Sequence, residues 1–249
     1  MPSLSTEHSV QSPSRDPLMP LVEILQVATV AAILVLIGAY VSDGNPIVYQ
    51  AVVWLAYVAM ALVIRAQLSR RGQGWDHFGL TFTNPKWPEI WRAVWRSMVV
   101  FVAALAAFVL GSLIGAPLFG LPEQADFSGY NPLSGNLPLL LVMLPLVWLA
   151  SSIGEELVFR GFLITRMAEW AGGQKAAWRI AVGTSAILFG FAHYAWGPTG
   201  ILQTTLMGLA LGISYLIVKR NLWVTILTHM YMDTLLLVPM YLAEVPPGG

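Results

Sequence analysis

The sequence predicts an all-α fold: a polytopic transmembrane bundle of about seven spanning helices. Three observations predict it. Hydrophobic residues make up 57% of the 249 positions and charged residues only 10%, where a soluble domain carries roughly 25% charged residues. Apolar stretches near the ~20 residues that cross a bilayer recur along the whole chain rather than at one end. All Lys and Arg fall on alternate connections between those stretches.

In chain order, residues 1–18 are polar and read as a disordered tail without the apolar core of a signal peptide. Apolar spans follow near 20–41, 47–65, 93–118, 137–159, 178–194, 200–218 and 222–242. The fourth is expected to run on past Arg160, because Gly161 to Ala171 stays partly apolar. With seven spans, all 13 Lys and Arg, from Arg15 to Arg220, lie on one side of the membrane. Asp43, Glu123, Asp126 and Glu244 lie on the other, with no base among them. The positive-inside rule then places the N-terminus in the cytoplasm and the C-terminus outside, in a multi-pass protein of the plasma membrane.

Several segments have ordinary readings. Glu23, near the start of the first span, reads as a snorkelling or helix-start carboxylate. The Arg70–Lys86 stretch, with Asp76, His77 and Gly-Leu-Thr-Phe, reads as an interfacial loop. Trp75, Trp87, Trp91 and Trp95 read as an interface belt. The Gly/Pro-rich segment 116–136 has room for a re-entrant element. Gly208 and Gly212 form a Gly-x-x-x-Gly, which ordinarily serves close helix packing, with a homodimer face as the alternative. A net charge of zero gives no reason to expect a nucleic-acid partner. The absence of cysteine excludes disulfides, thiolate metal sites and a cysteine nucleophile.

Against this apolar background, ionisable residues inside spans are costly and point to function. Glu155, Glu156 and Arg160 share the fourth span. Glu156 and Arg160 are four apart and can pair on one helix face, whereas Glu155 lies about 100° away. One carboxylate therefore reads as structural and the other as available. His193 ends the fifth span, just before Trp196-Gly197-Pro198, which interrupts the helix. His229 and Asp233 are four apart on the seventh span, where the carboxylate can orient the imidazole. Each set alone has a bland reading as a packing contact. Three unfavourable burials are better explained by one shared polar site.

A glutamate and a histidine beside water form a general-base arrangement, and a second histidine can stabilise an oxyanion. That pattern suits peptide hydrolysis without a covalent intermediate. The same residues offer a second option, a divalent metal such as zinc held by Glu155, His193, His229 and Asp233. No metal is favoured, and no His-Glu-x-x-His is present.

At these positions the sequence resembles the CPBP family of intramembrane proteases, which includes the CAAX prenyl proteases and Abi-type proteins. Glu155-Glu156-x-x-x-Arg160, Phe189-x-x-x-His193 and His229-x-x-x-Asp233 match its three motifs in order. The resemblance implies that Glu155 and His193 activate water, that His229 and Asp233 form the oxyanion side, and that Glu156 and Arg160 support the site. It further implies a catalytic core over 131–243, preceded by N-terminal helices and a cytoplasmic loop over 19–130. The substrate would be a peptide or membrane-protein segment. Asp233 departs from the Asn that the well-described prenyl proteases carry, and is expected to act as a neutral acid or by orienting His229. Two other readings compete: a non-enzymatic scaffold or bacteriocin self-immunity protein, and a proton-coupled transporter, which the lack of paired half-repeats disfavours.

Overall fold

A computed structural model describes residues 17–81, 85–120 and 132–243. The expectations for the tail, for Glu123, Asp126 and Glu244, and for most of the 116–136 segment lie outside those residues.

Seven helical rods form the described chain: α1 (Met19–Val41), α2 (Pro46–Arg70), α3 (Trp87–Phe119), α4 (Leu137–Trp170), α5 (Lys175–Ala192), α6 (Gly197–Ile217) and α7 (Leu222–Leu242). Six are long and apolar enough to cross a membrane. The exception is α5, whose 18 residues begin with Lys175 and include Arg179; at ~1.5 Å per residue it is still about 27 Å long. Large apolar side chains point outward on several rods, among them Leu36, Val102, Leu113 and Ile217. That outward apolar surface is what lipid, and not water, stabilises. The chain is an all-α, multi-pass membrane protein.

α4 is the central rod and is not a uniform α-helix. Pro145 lies within its first segment and has no N–H to give the helix ladder. Three residues on, Trp148–Ile153 widens into π-helical turns, and Glu156–Leu163 does so again. Such widened turns are rare and concentrate at functional sites. As expected from its composition, α4 continues beyond Arg160, ending at Trp170. α1 and α2 pack on each other and on α4, while α5 and α7 pack on α4 and α3 packs on α6 and α7. The main core joins Val27, Ile64, Leu68, Phe78, Phe162 and Ile226, and a second one joins Val100, Ala104, Phe189, Met207 and Leu211.

Two sequence expectations change, and the close packing expected of Gly208 and Gly212 is observed. The loop after α2 does not simply lie at the interface. Its Trp75–Phe78 turn inserts Phe78 into the core, where Tyr215 donates to the Phe78 carbonyl at 2.9 Å. Trp75 packs against that core, so the exposed tryptophans of a belt are Trp87, Trp91 and Trp95 on α3. Glu23 does not snorkel: it is buried, and Arg71 and Arg166 each reach it at 2.7 Å. The Gly208–Gly212 stripe is spent inside the bundle. A Cβ at Gly208 would lie 3.0 Å from the Phe189 ring and 3.4 Å from Arg160 Nη2, and one at Gly212 would lie 2.9 Å from Val182.

Candidate active site

Glu155 and Glu156 follow each other at the junction of the two widened segments of α4, so they project in different directions. Glu156 points into the protein and is fully buried. Its Oε1 accepts from Arg160 Nη1 at 2.8 Å and from His229 Nδ1 at 2.9 Å. One carboxylate oxygen thus ties α4 to α7 and fixes which imidazole nitrogen faces away. The remaining nitrogen, His229 Nε2, lies 3.9 Å from Glu155 Oε2 and 3.9 Å from Asp233 Oδ1. Both separations exceed direct hydrogen-bond length. Each is short enough for a shared water.

Orientation of His229 is therefore the work of Glu156, not of Asp233 as the four-residue spacing suggests. Asp233 instead accepts a 2.6 Å hydrogen bond from Ser152 Oγ on α4. Glu155 Oε1 receives Ser151 Oγ at 3.4 Å. Glu155 Oε2 is buried and has no hydrogen-bond partner among the described residues. A buried, unmatched carboxylate oxygen is costly and needs a reason.

His193 lies just past the end of α5, where the helix gives way to the Tyr194–Trp196 turn. The sequence places the helix break correctly, but Pro198 also opens the next helix, since α6 starts at Gly197. His193 Nδ1 sits 2.9 Å from the Phe189 carbonyl. A carbonyl only accepts, so Nδ1 carries the proton, and in the neutral ring Nε2 keeps its lone pair.

Phe189 joins these parts. It is fully buried, 4.8 Å from the His193 ring and 6.1 Å from the His229 ring between centroids. The Arg160 guanidinium lies 4.1 Å over its face. Phe189 opens the Phe-x-x-x-His motif, but spacing alone assigns it no role. Ser151, Ser152 and Tyr57 are also missed. The serines carry a legible signal, since Ser151 lies four residues before Glu155. Tyr57 of α2 carries none. It directs its hydroxyl toward Glu155, and its Cβ would be 3.0 Å from a side chain at Gly154.

Glu155, His193, His229 and Asp233 all line one cavity of about 1000 Å³, with Tyr57, Ser151 and otherwise mostly apolar walls from α1, α2, α4, α6 and α7. The structure thus brings the four residues to one space, with His193 entering from the α5 end. Among the described residues no three His, Asp or Glu side chains are arranged to hold a metal ion. Such a centre would need the four to draw closer, against the contacts that hold His229 to Glu156 and Asp233 to Ser152.

Fold and site together define a polytopic helical membrane protein with a polar Glu/His centre opening on an apolar cavity. Residues 137–235 match the family model described as type II CAAX prenyl endopeptidase Rce1-like. No curated protein and no solved structure gives a match.

Proposed function

We propose that the protein is an intramembrane endopeptidase that hydrolyses a peptide bond with water activated by Glu155 and His193. The observation that carries this reading is Glu155 Oε2: buried, unpartnered and facing the cavity, 3.9 Å from His229 Nε2. In this mechanism Glu155 takes a proton from the water as it attacks the scissile carbonyl. His193 Nε2 accepts a hydrogen bond from that water. His229, held by Glu156 at Nδ1, donates from a protonated Nε2 to the developing oxyanion. Asp233 and Ser152 complete the polar wall on the α7 side. Glu155 then returns the proton to the leaving amine, as microscopic reversibility requires.

Residues 131–243 supply the chemistry in this reading, and 19–130 supply walls of the cavity through α1 and α2. The apolar lining suits a chain end that carries a long apolar group, or an unwound membrane segment. The tail and basic loops face the cytoplasm, and the protein resides in the cell membrane. No metal is used; activity that survives exhaustive chelation supports this, and activity restored only by metal add-back refutes it.

The test compares membrane peptidomes of cells carrying wild type and Glu155→Gln protein. A peptide that disappears with the variant, at equal protein abundance, names activity and substrate together. Identical peptidomes, with an immunity or scaffold phenotype preserved in Glu155→Gln and His229→Ala, would establish the non-enzymatic reading instead.

A further inference from the structure

The end of the bundle where α5 begins and α6 finishes carries a second concavity, of about 520 Å³. Lys175, Trp178, Arg179, Leu216, Lys219 and Arg220 line it. Four of these are cations and none is an acid. Among the described residues none of the four makes an ion pair. The buried Glu23 and the half-buried Glu169 are already engaged by Arg71, Arg166 and His77. Four like charges therefore converge with no paired counter-charge among the described residues.

The cations are held, not merely clustered. Arg220 lies with its guanidinium 5.1 Å over the Trp178 ring, and Trp178 is itself anchored by its indole N–H to the Gly173 carbonyl at 3.1 Å. Lys219 and Arg220 occupy successive left-handed positions, with φ of 59° and 62°. Gly or Asn would sit there with less strain, yet the chain places two cations. Next in sequence to the lining residues Arg179 and Leu216, Ile180 and Ile217 are 65% and 75% exposed. They begin the lipid-facing sides of α5 and α6. The site is thus cationic at the helix ends and apolar immediately below, the pattern of an amphipathic anion.

We propose that this concavity binds the headgroup phosphate of an anionic phospholipid, with the acyl chains running along Ile180 and Ile217. Arg220 and Arg179 offer forked donors to phosphate oxygens, and Lys175 and Lys219 add point charge. A bound lipid would bridge the start of α5 to the end of α6. The site is separate from the peptidase reading and does not depend on it.

The test is native mass spectrometry of the detergent-solubilised full chain, titrated with dioleoylphosphatidylglycerol, dioleoylphosphatidylcholine or inorganic phosphate. Wild type is expected to retain phosphatidylglycerol in preference to phosphatidylcholine. Each cation near an anionic lipid is worth about a fivefold change in binding. Lys219→Gln/Arg220→Gln should therefore lower phosphatidylglycerol retention about 25-fold and leave phosphatidylcholine unchanged. Lys175→Gln/Arg179→Gln, at exposed positions that leave the turn intact, should do the same. Arg92→Gln/Arg96→Gln on α3 should behave as wild type. Retention unchanged in both concavity variants overturns the site. An equal loss in the α3 variant overturns it too, as diffuse surface charge. Competition by millimolar inorganic phosphate as effective as the lipid overturns the lipid assignment.

Discussion

Two buried polar clusters share this bundle, and they are built to opposite specifications. Around Arg166, four of the polar contacts are 2.7–2.8 Å: Arg166 to Glu23 and Glu169, Arg71 to Glu23, and His77 to Glu169. That cluster ties α1, the end of α2, the Trp75–Phe78 turn and the end of α4 together. Its acids and bases are matched to each other. Around His229, the contact to Glu156 is 2.9 Å, but those to Glu155 and Asp233 stop at 3.9 Å. The second cluster is tied on its protein side through Glu156 Oε1 and is left open at Glu155 and Asp233 on its cavity side. Matched charges hold helices in register; a charge left unmatched beside a cavity is available to a reactant. The difference in length, more than in residue type, separates a clamp from a site.

Substitutions can break this contrast in graded ways. The largest effect is expected for Glu155→Gln. General acid–base groups contribute about 10²–10⁴-fold, so cleavage of an identified product peptide should fall by about that factor. The thermal unfolding midpoint in detergent should stay near wild type, since Glu155 Oε2 loses no protein partner. A large drop in unfolding temperature without loss of cleavage would reverse the assignment of the two clusters.

Arg166→Met is expected to do the opposite. It leaves the buried Glu23 with Arg71 alone and removes one contact of the half-buried Glu169, a loss below the ~3–5 kcal/mol of a buried charge left with no partner. The unfolding midpoint and the yield of folded protein should fall. Molecules that remain folded should cleave at the wild-type rate per active protein.

Glu156→Gln tests the hinge between the two behaviours. It keeps the shape but weakens the charge-assisted contacts to Arg160 and His229. A hydrogen bond to a charged group is worth about 1.5–3 kcal/mol, or about 10–100-fold. Cleavage should fall within that range, and stability should fall measurably as well. An effect on stability alone would place Glu156 with the clamp.

The smallest effect is expected for Asp233→Asn. His229 is already oriented from Glu156, and Asp233 touches Ser152 rather than the ring. Rates across pH 5–8 are expected to stay within about tenfold of wild type, since no hydrogen bond to the ring is lost. A loss as deep as that of Glu155→Gln would show that Asp233 acts on the reactant directly.

Much of this was legible in the chain. Charge inside an apolar span carries a cost that nothing local can offset, so Glu155, Glu156, Arg160, His229 and Asp233 stand out without any coordinates. The Glu156–Arg160 pair follows from helical spacing. The two surprises arise because spacing describes one helix at a time. His229 and Asp233 are neighbours along α7, yet each finds a closer partner on α4, in Glu156 and Ser152. Glu23 looks like an isolated carboxylate until Arg71 and Arg166 arrive from positions far along the chain. Tyr57, on a helix outside the family match, has no sequence signal that links it to Glu155.

The sequence by itself determined the solvent and the alphabet of the site. Apolar runs of membrane length dictate helices, because lipid offers no partner for an open backbone. The few ionisable groups within them mark where function must lie. Only the tertiary structure decided which of those charges would neutralise one another and which would be left facing the cavity. That choice depends on distances of a few ångströms between side chains on different helices. Such distances are set by how glycines, serines and widened turns let the rods approach, and one-dimensional order does not encode them locally.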